Sequence, residues 1–255
     1  MRTDSASIGN RVLARGASQH NYQARLAVTA EDVKAAQTLR FLVFNLELNE
    51  GLEQSFSTCR DADPFDEVCD HLLVEETTTR EVVGTYRLQP GSTALAAKGY
   101  YSAQEFDLDP LLDRAGEIIE LGRACVHIQH RNLAVLGLLW KGIHTYARER
   151  SGRYLLGCSS LSSTDPKVGA AVYSQLVRRH LAGPDWRVTP LPALACPLLE
   201  LAAEHQKVPK LLSAYLSLGA KICGAPAIDR EFKTIDFLTF LDLDTLCGSL
   251  ARFLS

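Results

Sequence analysis

The sequence predicts an α/β protein built on a mixed central sheet with helices on both faces. Three observations carry the prediction. Apolar runs with strand periodicity alternate with stripes at helical spacing, in the order β-α-β-β-(α)-β-α-β-α-β-α-β-β. Several helix starts are marked by residues able to cap them: Thr29 with Asp32, Asn132, and Asp165 ahead of Pro166. At the centre, residues 117–142 read as an apolar strand, a short polar turn and a helix, with Glu120 and Arg123 inside the strand where charge is costly.

Taken in order, residues 1–20 are rich in Ser, Ala, Arg and Gly without periodicity, and read as a loose tail ahead of a single domain over 21–255. Residues 22–28 alternate as a first strand. The helix opened by Thr29 and Asp32 runs to about residue 48 and ends at Asn49 and Gly51. Arg40 and Phe44 share one of its faces, and an Arg among Leu39, Phe41, Leu42 and Val43 either snorkels or pairs with a carboxylate. Residues 51–70 lack periodicity and carry Asp61, Asp63, Asp66, Glu67 and Asp70. The default is a solvated loop, although a loop this long in a compact domain is often functional. Residues 71–75 and 81–89 form a hairpin, with Arg87 in its second strand. Ser102 and Glu105 read as a capping box for a short helix. Asn132 caps a helix whose buried stripe is Leu136, Leu139, Trp140, Ile143 and Ala147, stopped by Gly152. Residues 154–160 are a buried strand, and the helix opened by Asp165 and Pro166 is closed by Gly183. Beyond it come a strand at 186–189, a short helix at 209–218 stopped by Gly219, and last strands at 221–223 and 234–241.

With 46% hydrophobic residues, 22% charged residues and a net charge of -3, the composition argues against a nucleic-acid binder, which needs clustered Lys and Arg. Arg178 and Arg179 read as a solvated helix face before they read as a site for an acidic partner. The seven cysteines are scattered, with no CxxC and no Cys/His pair at zinc spacing, so no metal site is expected. Their odd count, with no signal peptide recognised, fits a reducing cytosol. No apolar run is long enough to span a bilayer, which leaves contact with a membrane surface open. GxSxG, HExxH, Walker A and GxGxxG are all absent, so hydrolase, zincin, NTPase and dinucleotide-binding readings lack their evidence.

What remains is group transfer centred on Glu120. Desolvation in an apolar strand should raise its pKa unless Arg123 or another cation offsets the effect. A carboxylate tuned in this way can take a proton from an ammonium so that the amine attacks. The alternative is a buried Glu–Arg pair that only holds strand register, and the spacing does not choose between them. Strict alternation puts Glu120 and Arg123 on opposite faces, and Gly122 could mark a bulge that re-aims one of them. A bulge would free backbone groups for an extended amide ligand. A phosphate would then fall on the turn at Arg131, Asn132 and Leu133, at a helix N-terminus.

The element order, together with RFLVF (40–44), DPFD (63–66), VVGTYRL (82–88) and ELGRACVHIQHRN (120–132), resembles the GNAT superfamily. Further motifs are CDHLLV (69–74), GYYSAQEFDL (99–108), LLWKG (138–142) and GAPAIDREFKTIDFL (224–238). With them the chain resembles, more narrowly, the N-acyltransferases that use acyl carrier protein thioesters, in particular the ornithine Nα-acyltransferases of ornithine-lipid biosynthesis. The first half is also similar to the acyl-homoserine-lactone autoinducer synthases.

That resemblance implies a GNAT fold and direct acyl transfer without an acyl-enzyme. Carried over residue by residue, it implies that Arg40, Phe44, Asp63, Asp66, Arg87, Glu120 and Arg123 line the acceptor side. Asp63 and Asp66 would hold cationic groups, Arg87 or Arg123 a carboxylate, and Glu120 would be the base. Val126, His127, Arg131, Asn132 and Leu133 would take the pantetheine arm. Tyr173 would protonate the leaving thiolate, against a plainer reading as packing beside Val172 and Leu176. The family's usual Arg/Gln-x-x-Gly-x-Gly/Ala loop is missing, since Arg131 is followed by Asn132, Leu133 and Ala134. This departure shifts the expected donor from coenzyme A to acyl carrier protein, with no further cofactor. The expected reaction moves a (3-hydroxy)fatty acyl group to the α-amine of ornithine in the cytoplasm, with room for peripheral contact at the membrane face and no nucleic-acid partner. The alternatives are an N-acyl amino acid synthase with another acceptor, an autoinducer synthase, and a silent acyl-carrier or lipid-binding module.

Overall fold

The computed structural model describes residues 12–15, 22–198 and 206–246, the first four as backbone. In chain order the first elements are β1 (Val12–Arg15), β2 (Tyr22–Leu26), α1 (Ala30–Phe41), β3 (Asp70–Glu76), β4 (Val82–Pro90), α2 (Gly91–Ala96), β5 (Phe106–Asp107) and β6 (Ile118–Val126). They continue with α3 (Leu133–Glu149), β7 (Tyr154–Leu161), α4 (Pro166–His180), β8 (Thr189–Pro190), α5 (Lys210–Ser217), β9 (Lys221–Ile222), β10 (Ala227–Asp229) and β11 (Thr234–Asp242). Described residues up to 89 group with 121–151 in one compact unit, and 90–120 group with 152–246 in another.

In the first unit β2 lies between β1 and β3, and β3 pairs on with β4, all antiparallel. β1 falls inside the stretch that the sequence marks as tail. A strand takes its backbone partners from its neighbour whatever its own periodicity, so composition alone does not reveal it. The rest of that tail, like Cys247, lies outside the described residues. α1 opens on the foreseen capping box: Asp32 N–H donates to Thr29 Oγ1 and Thr29 N–H to Asp32 Oδ2, each at 3.1 Å. Past Phe41 the helix widens into one π turn over Leu42–Glu47, and Asn49 then turns left-handed at φ 56°. α3 starts at Asn132, whose Oδ1 accepts from the N–H groups of Ala134 and Val135 at 3.0 Å. It lies so close to β3 that a Cβ on Gly142 would come within 2.7 Å of Leu72 Cδ1. Its left-handed terminal residue is Ser151, φ 56°, rather than the glycine that follows.

In the second unit Ile118, Ile119 and Glu120 of β6 run parallel to β7, and β7 pairs antiparallel with β11 along its whole length. The sheet is therefore mixed. β11 also takes β10 and β9. Alternation along β11 sends Leu238 into a core with Phe106, Leu111, Ile118 and Leu156, and Phe237 into another with Val172, Leu176 and Leu212.

Three local expectations change. Residues 51–70 contain two 3-10 turns, Glu53–Ser57 and Pro64–Glu67. Ser102 and Glu105 do not cap a helix; a 3-10 turn spans Tyr101–Gln104 without a side-chain cap, because Ser102 is engaged elsewhere. The strand foreseen at 186–189 is only Thr189–Pro190, paired with β5 and preceded by a 3-10 turn at Pro184–Trp186.

Candidate active site

Glu120 sits where β6 runs beside β7, opposite Leu156. Its buried carboxylate is held by the 3-10 turn at Tyr101–Gln104. Tyr101 N–H donates to Oε2 at 2.8 Å, Ser102 N–H to Oε1 at 2.8 Å, and Ser102 Oγ to Oε1 at 2.7 Å. The first N–H groups of a helical turn have no partner of their own and point one way, so such a turn is a natural cradle for an anion. Three donors on two oxygens supply what water would otherwise give a buried charge. Next to it, burial first and then the Glu120 charge push the Tyr100 phenol above its ordinary range, so it stays protonated.

The first unit carries a second constellation. Arg40, 0% exposed, donates from Nε to Asp61 Oδ2 at 3.1 Å and from Nη2 to the Asp61 carbonyl. It also meets Asp66 Oδ1 at 2.9 Å and Oδ2 at 2.7 Å. Arg87 reaches both oxygens of Asp63 at 2.7 Å and Asp66 Oδ1 at 3.1 Å. Arg123 lies 3.0 Å from Asp63 Oδ2 and 3.4 Å from Asp61 Oδ2. Burial opposes these carboxylate charges, yet Arg87 and Arg123 hold Asp63 below its ordinary value, and Arg40 and Arg87 hold Asp66 well below it. Burial also pushes the neighbouring His71 imidazole down. The choice left open for Arg40 is thus settled as pairing. Shut off from solvent, Arg40 braces the cluster through Asp61 and Asp66. Asp63 and Arg123 keep side-chain exposures of 10% and 9%.

Local sequence explains the assembly. Asp63 caps the turn Pro64–Glu67 by accepting Phe65 N–H at 2.8 Å, and Asp66 Oδ2 accepts Asp63 N–H at 3.3 Å, so the two acids are locked together. The irregularity suggested at Gly122 falls one residue later: Arg123 is left-handed at φ 50°, at a cost to a non-glycine residue of roughly 1–2 kcal/mol. Nothing lies within 4 Å of a Cβ built on Gly122. Phe44 packs on Leu39, Val43 and Cys125, and its carbonyl accepts from Glu50 and Gly51.

At the turn after β6, groups foreseen for pantetheine are already engaged. Arg131 forms a two-point ion pair with Glu47 at 2.6 and 2.7 Å and donates from Nε to the Val126 carbonyl at 3.1 Å. His127 N–H donates to the Val83 carbonyl at 2.8 Å, and Leu133 is 75% exposed. A pyrophosphate at the α3 N-terminus would compete with the Asn132 side chain and meet the Glu47 charge, so the residues present do not fit one. Tyr173 is partly buried and packs against the core that holds Val172, Leu176, Ile235 and Phe237. Sequence reasoning missed the parts played by Ser102, which it read as a helix cap, and Asp61, which it read as a loop acid, since both find their partners through tertiary contact.

Residues 39–141 match the acetyltransferase (GNAT) domain family. Fold and match define the chain as an acyltransferase of the GNAT superfamily. It is 37% identical over 244 residues to the L-ornithine Nα-acyltransferase of Brucella abortus, which covers 88% of this chain and 85% of that protein. It is 34% identical over 241 residues to the L-ornithine Nα-acyltransferase of Agrobacterium fabrum, covering 89% and 82%. The chain belongs to the L-ornithine Nα-acyltransferase family of GNAT-fold enzymes. Among solved structures, FeeM, an N-acyl amino acid synthase from uncultured soil microbes, shares the fold with a TM-score of 0.52 at 15% identity, over 90% of this chain and 94% of that one.

The expectation of no cofactor is overturned by the complexes of this fold. BjaI, a coenzyme A-dependent acyl-homoserine lactone synthase, is solved with S-adenosylmethionine and isopentyl-coenzyme A (TM-score 0.48, 14% identity, 88% of this chain and 80% of that one). A cofactor-free reading is therefore not retained. No helix among the described residues is long and apolar enough to cross a membrane.

Proposed function

We propose that the chain transfers a (3-hydroxy)fatty acyl group from acyl carrier protein to the α-amine of L-ornithine, giving lyso-ornithine lipid. The observation that carries this reading is the 37% identity over 244 residues with a named L-ornithine Nα-acyltransferase. The thioester is the substrate. Glu120, oriented by Tyr101 and Ser102, takes a proton from the ornithine ammonium, and the free amine attacks the thioester carbonyl directly. The C–N bond forms, the C–S bond breaks and the pantetheine thiol leaves. The cytoplasm is the compartment this reading assigns, with delivery of the amphiphilic product to the adjacent membrane face.

The test is an acceptor and donor panel with the purified chain, read by mass spectrometry. Acyl carrier protein and coenzyme A thioesters are each offered with ornithine, lysine, glutamine, tyrosine or S-adenosylmethionine. The reading requires N-acyl-ornithine from the carrier-protein thioester. A preferred product from another acceptor, or donor thioester bound without thiol release, rejects it.

A further inference from the structure

Each turnover that starts from an ammonium sheds one proton. R–NH3+ and a thioester become an amide, a thiol and H+: Glu120 takes the first nitrogen proton, and a second ends on the departing sulfur. Glu120 is 4% exposed and must be cleared of its proton before the next cycle.

Strand register lays out a route within the same unit. Glu120 lies opposite Leu156, Cys158 opposite Leu238, and Asp236 opposite both Ser160 and Ala227. Alternation therefore puts Glu120, Cys158, Asp236 and Asp229 on one side of the sheet. The 3-10 turn that holds Glu120 lies on that side. Cys158 Sγ is 3.6 Å from Ser102 Oγ and 3.9 Å from Glu105 Oε1, distances within reach of a sulfur donor. The Glu105 and Asp236 carboxyls are close enough to interact. Oxygens of Glu105, Asp236 and Asp229 lie within 4.8 Å of one another. Glu105 and Asp236 are 5% and 3% exposed, and Asp229, at the end of β10, is half-buried. Buried carboxyl groups brought this close repel when both are charged, which favours a proton held by the pair.

We propose that Ser102 and Cys158 hand the proton from Glu120 to the Glu105–Asp236 pair, from which Asp229 passes it to solvent. The inference rests on Glu120 being the base. In the transfer, the Glu120 proton moves to Ser102 Oγ, the serine proton to Cys158 Sγ and the thiol proton to Glu105 Oε1. Ser102 and Cys158 end neutral, and rotation of their O–H and S–H resets the chain. Burial first, and then the negative Glu105–Asp236 pair beside it, keeps Cys158 a thiol, as this role requires. Burial, with the Asp229 charge, lifts Asp236 to about 6 against the bonds from Ser160, Thr234 and Glu105, so it both accepts and releases near neutrality.

The test uses the full chain with acyl carrier protein thioester and ornithine. Cys158→Ala should lower kcat about tenfold at unchanged KM. Cys158→Ser should restore the rate, and imidazole in the buffer should rescue the alanine variant. Asp236→Asn should lower kcat and remove the fall in rate as pH drops through about 6. If both variants fold at the wild-type melting temperature and keep the wild-type rate and pH profile, the relay is overturned while the reading of Glu120 stands. Full activity of Glu120→Gln would overturn both. Micromolar Mg2+ or Ca2+ binding that Asp236→Asn abolishes would make the three carboxylates a cation site and overturn the relay.

Discussion

Arg40 and Asp66 meet in a two-point ion pair, Nη1 to Oδ1 at 2.9 Å and Nη2 to Oδ2 at 2.7 Å, across 26 residues of chain. The same guanidinium holds Asp61, so one side chain on α1 pins the whole acidic segment that follows. Planar guanidinium and carboxylate groups match at two points, which gives geometry as well as energy.

Removing that guanidinium takes from Asp61 and Asp66 their nearest cation, leaving Arg123 at 3.4 Å from Asp61 and Arg87 at 3.1 Å from Asp66. Arg40→Met should cost about 3–5 kcal/mol in urea unfolding. Adding Asp61→Asn should recover part of the loss. Strictly additive effects of the two changes would show that the pair is not coupled.

The cluster also sets an acid limit. Asp63 and Asp66 are held below their ordinary value of 3.8 in the fold, so as pH falls the unfolded chain binds their protons first. Their contribution is present above 3.8 and is lost as pH drops below it. Melting temperature followed from about pH 6 to 3 should fall steeply at the acid end, and Asp66→Asn should flatten the fall. An unchanged slope in the variant would contradict the assignment.

Glu120→Gln should reduce kcat about 100-fold or more with the fold kept, because the amide oxygen still accepts from Ser102, while the amide nitrogen facing Tyr101 N–H costs about 1–3 kcal/mol of stability. Steady-state rates with acyl carrier protein thioester decide this. Near-normal turnover would remove Glu120 from the mechanism.

Ser151 carries the left-handed end of α3. Ser151→Gly should stabilise the chain by up to about 1 kcal/mol. Gly152→Ala should change stability by less than about 0.5 kcal/mol. Calorimetry of the two variants reads both, and the reverse order would place the turn at Gly152.

Aspects of this protein that depend on neighbours in the chain were legible from the sequence. Thr29 and Asp32, Asn132, and Asp165 with Pro166 announce helix starts because a cap bonds to N–H groups two or three residues away. The short apolar runs of β3, β4, β7 and β11 mark them as strands because such runs, bounded by turn residues, fit strands buried in a sheet. The motifs around Glu120 and Arg123 pointed to the family for the same reason: they are contiguous.

What partners those charges take was decided only in three dimensions. Asp61 read as a solvated loop acid and is 0% exposed against Arg40. Ser102 read as a helix cap, yet its hydroxyl and N–H both hold Glu120, 18 residues on. Burial sets the cost of an unpaired charge, and burial is a property of the packed chain. Composition could show that acidic and basic residues were present in rough balance. Only the tertiary structure could say which of them neutralise one another and which, like Glu120, take hydrogen bonds from backbone N–H groups and a hydroxyl.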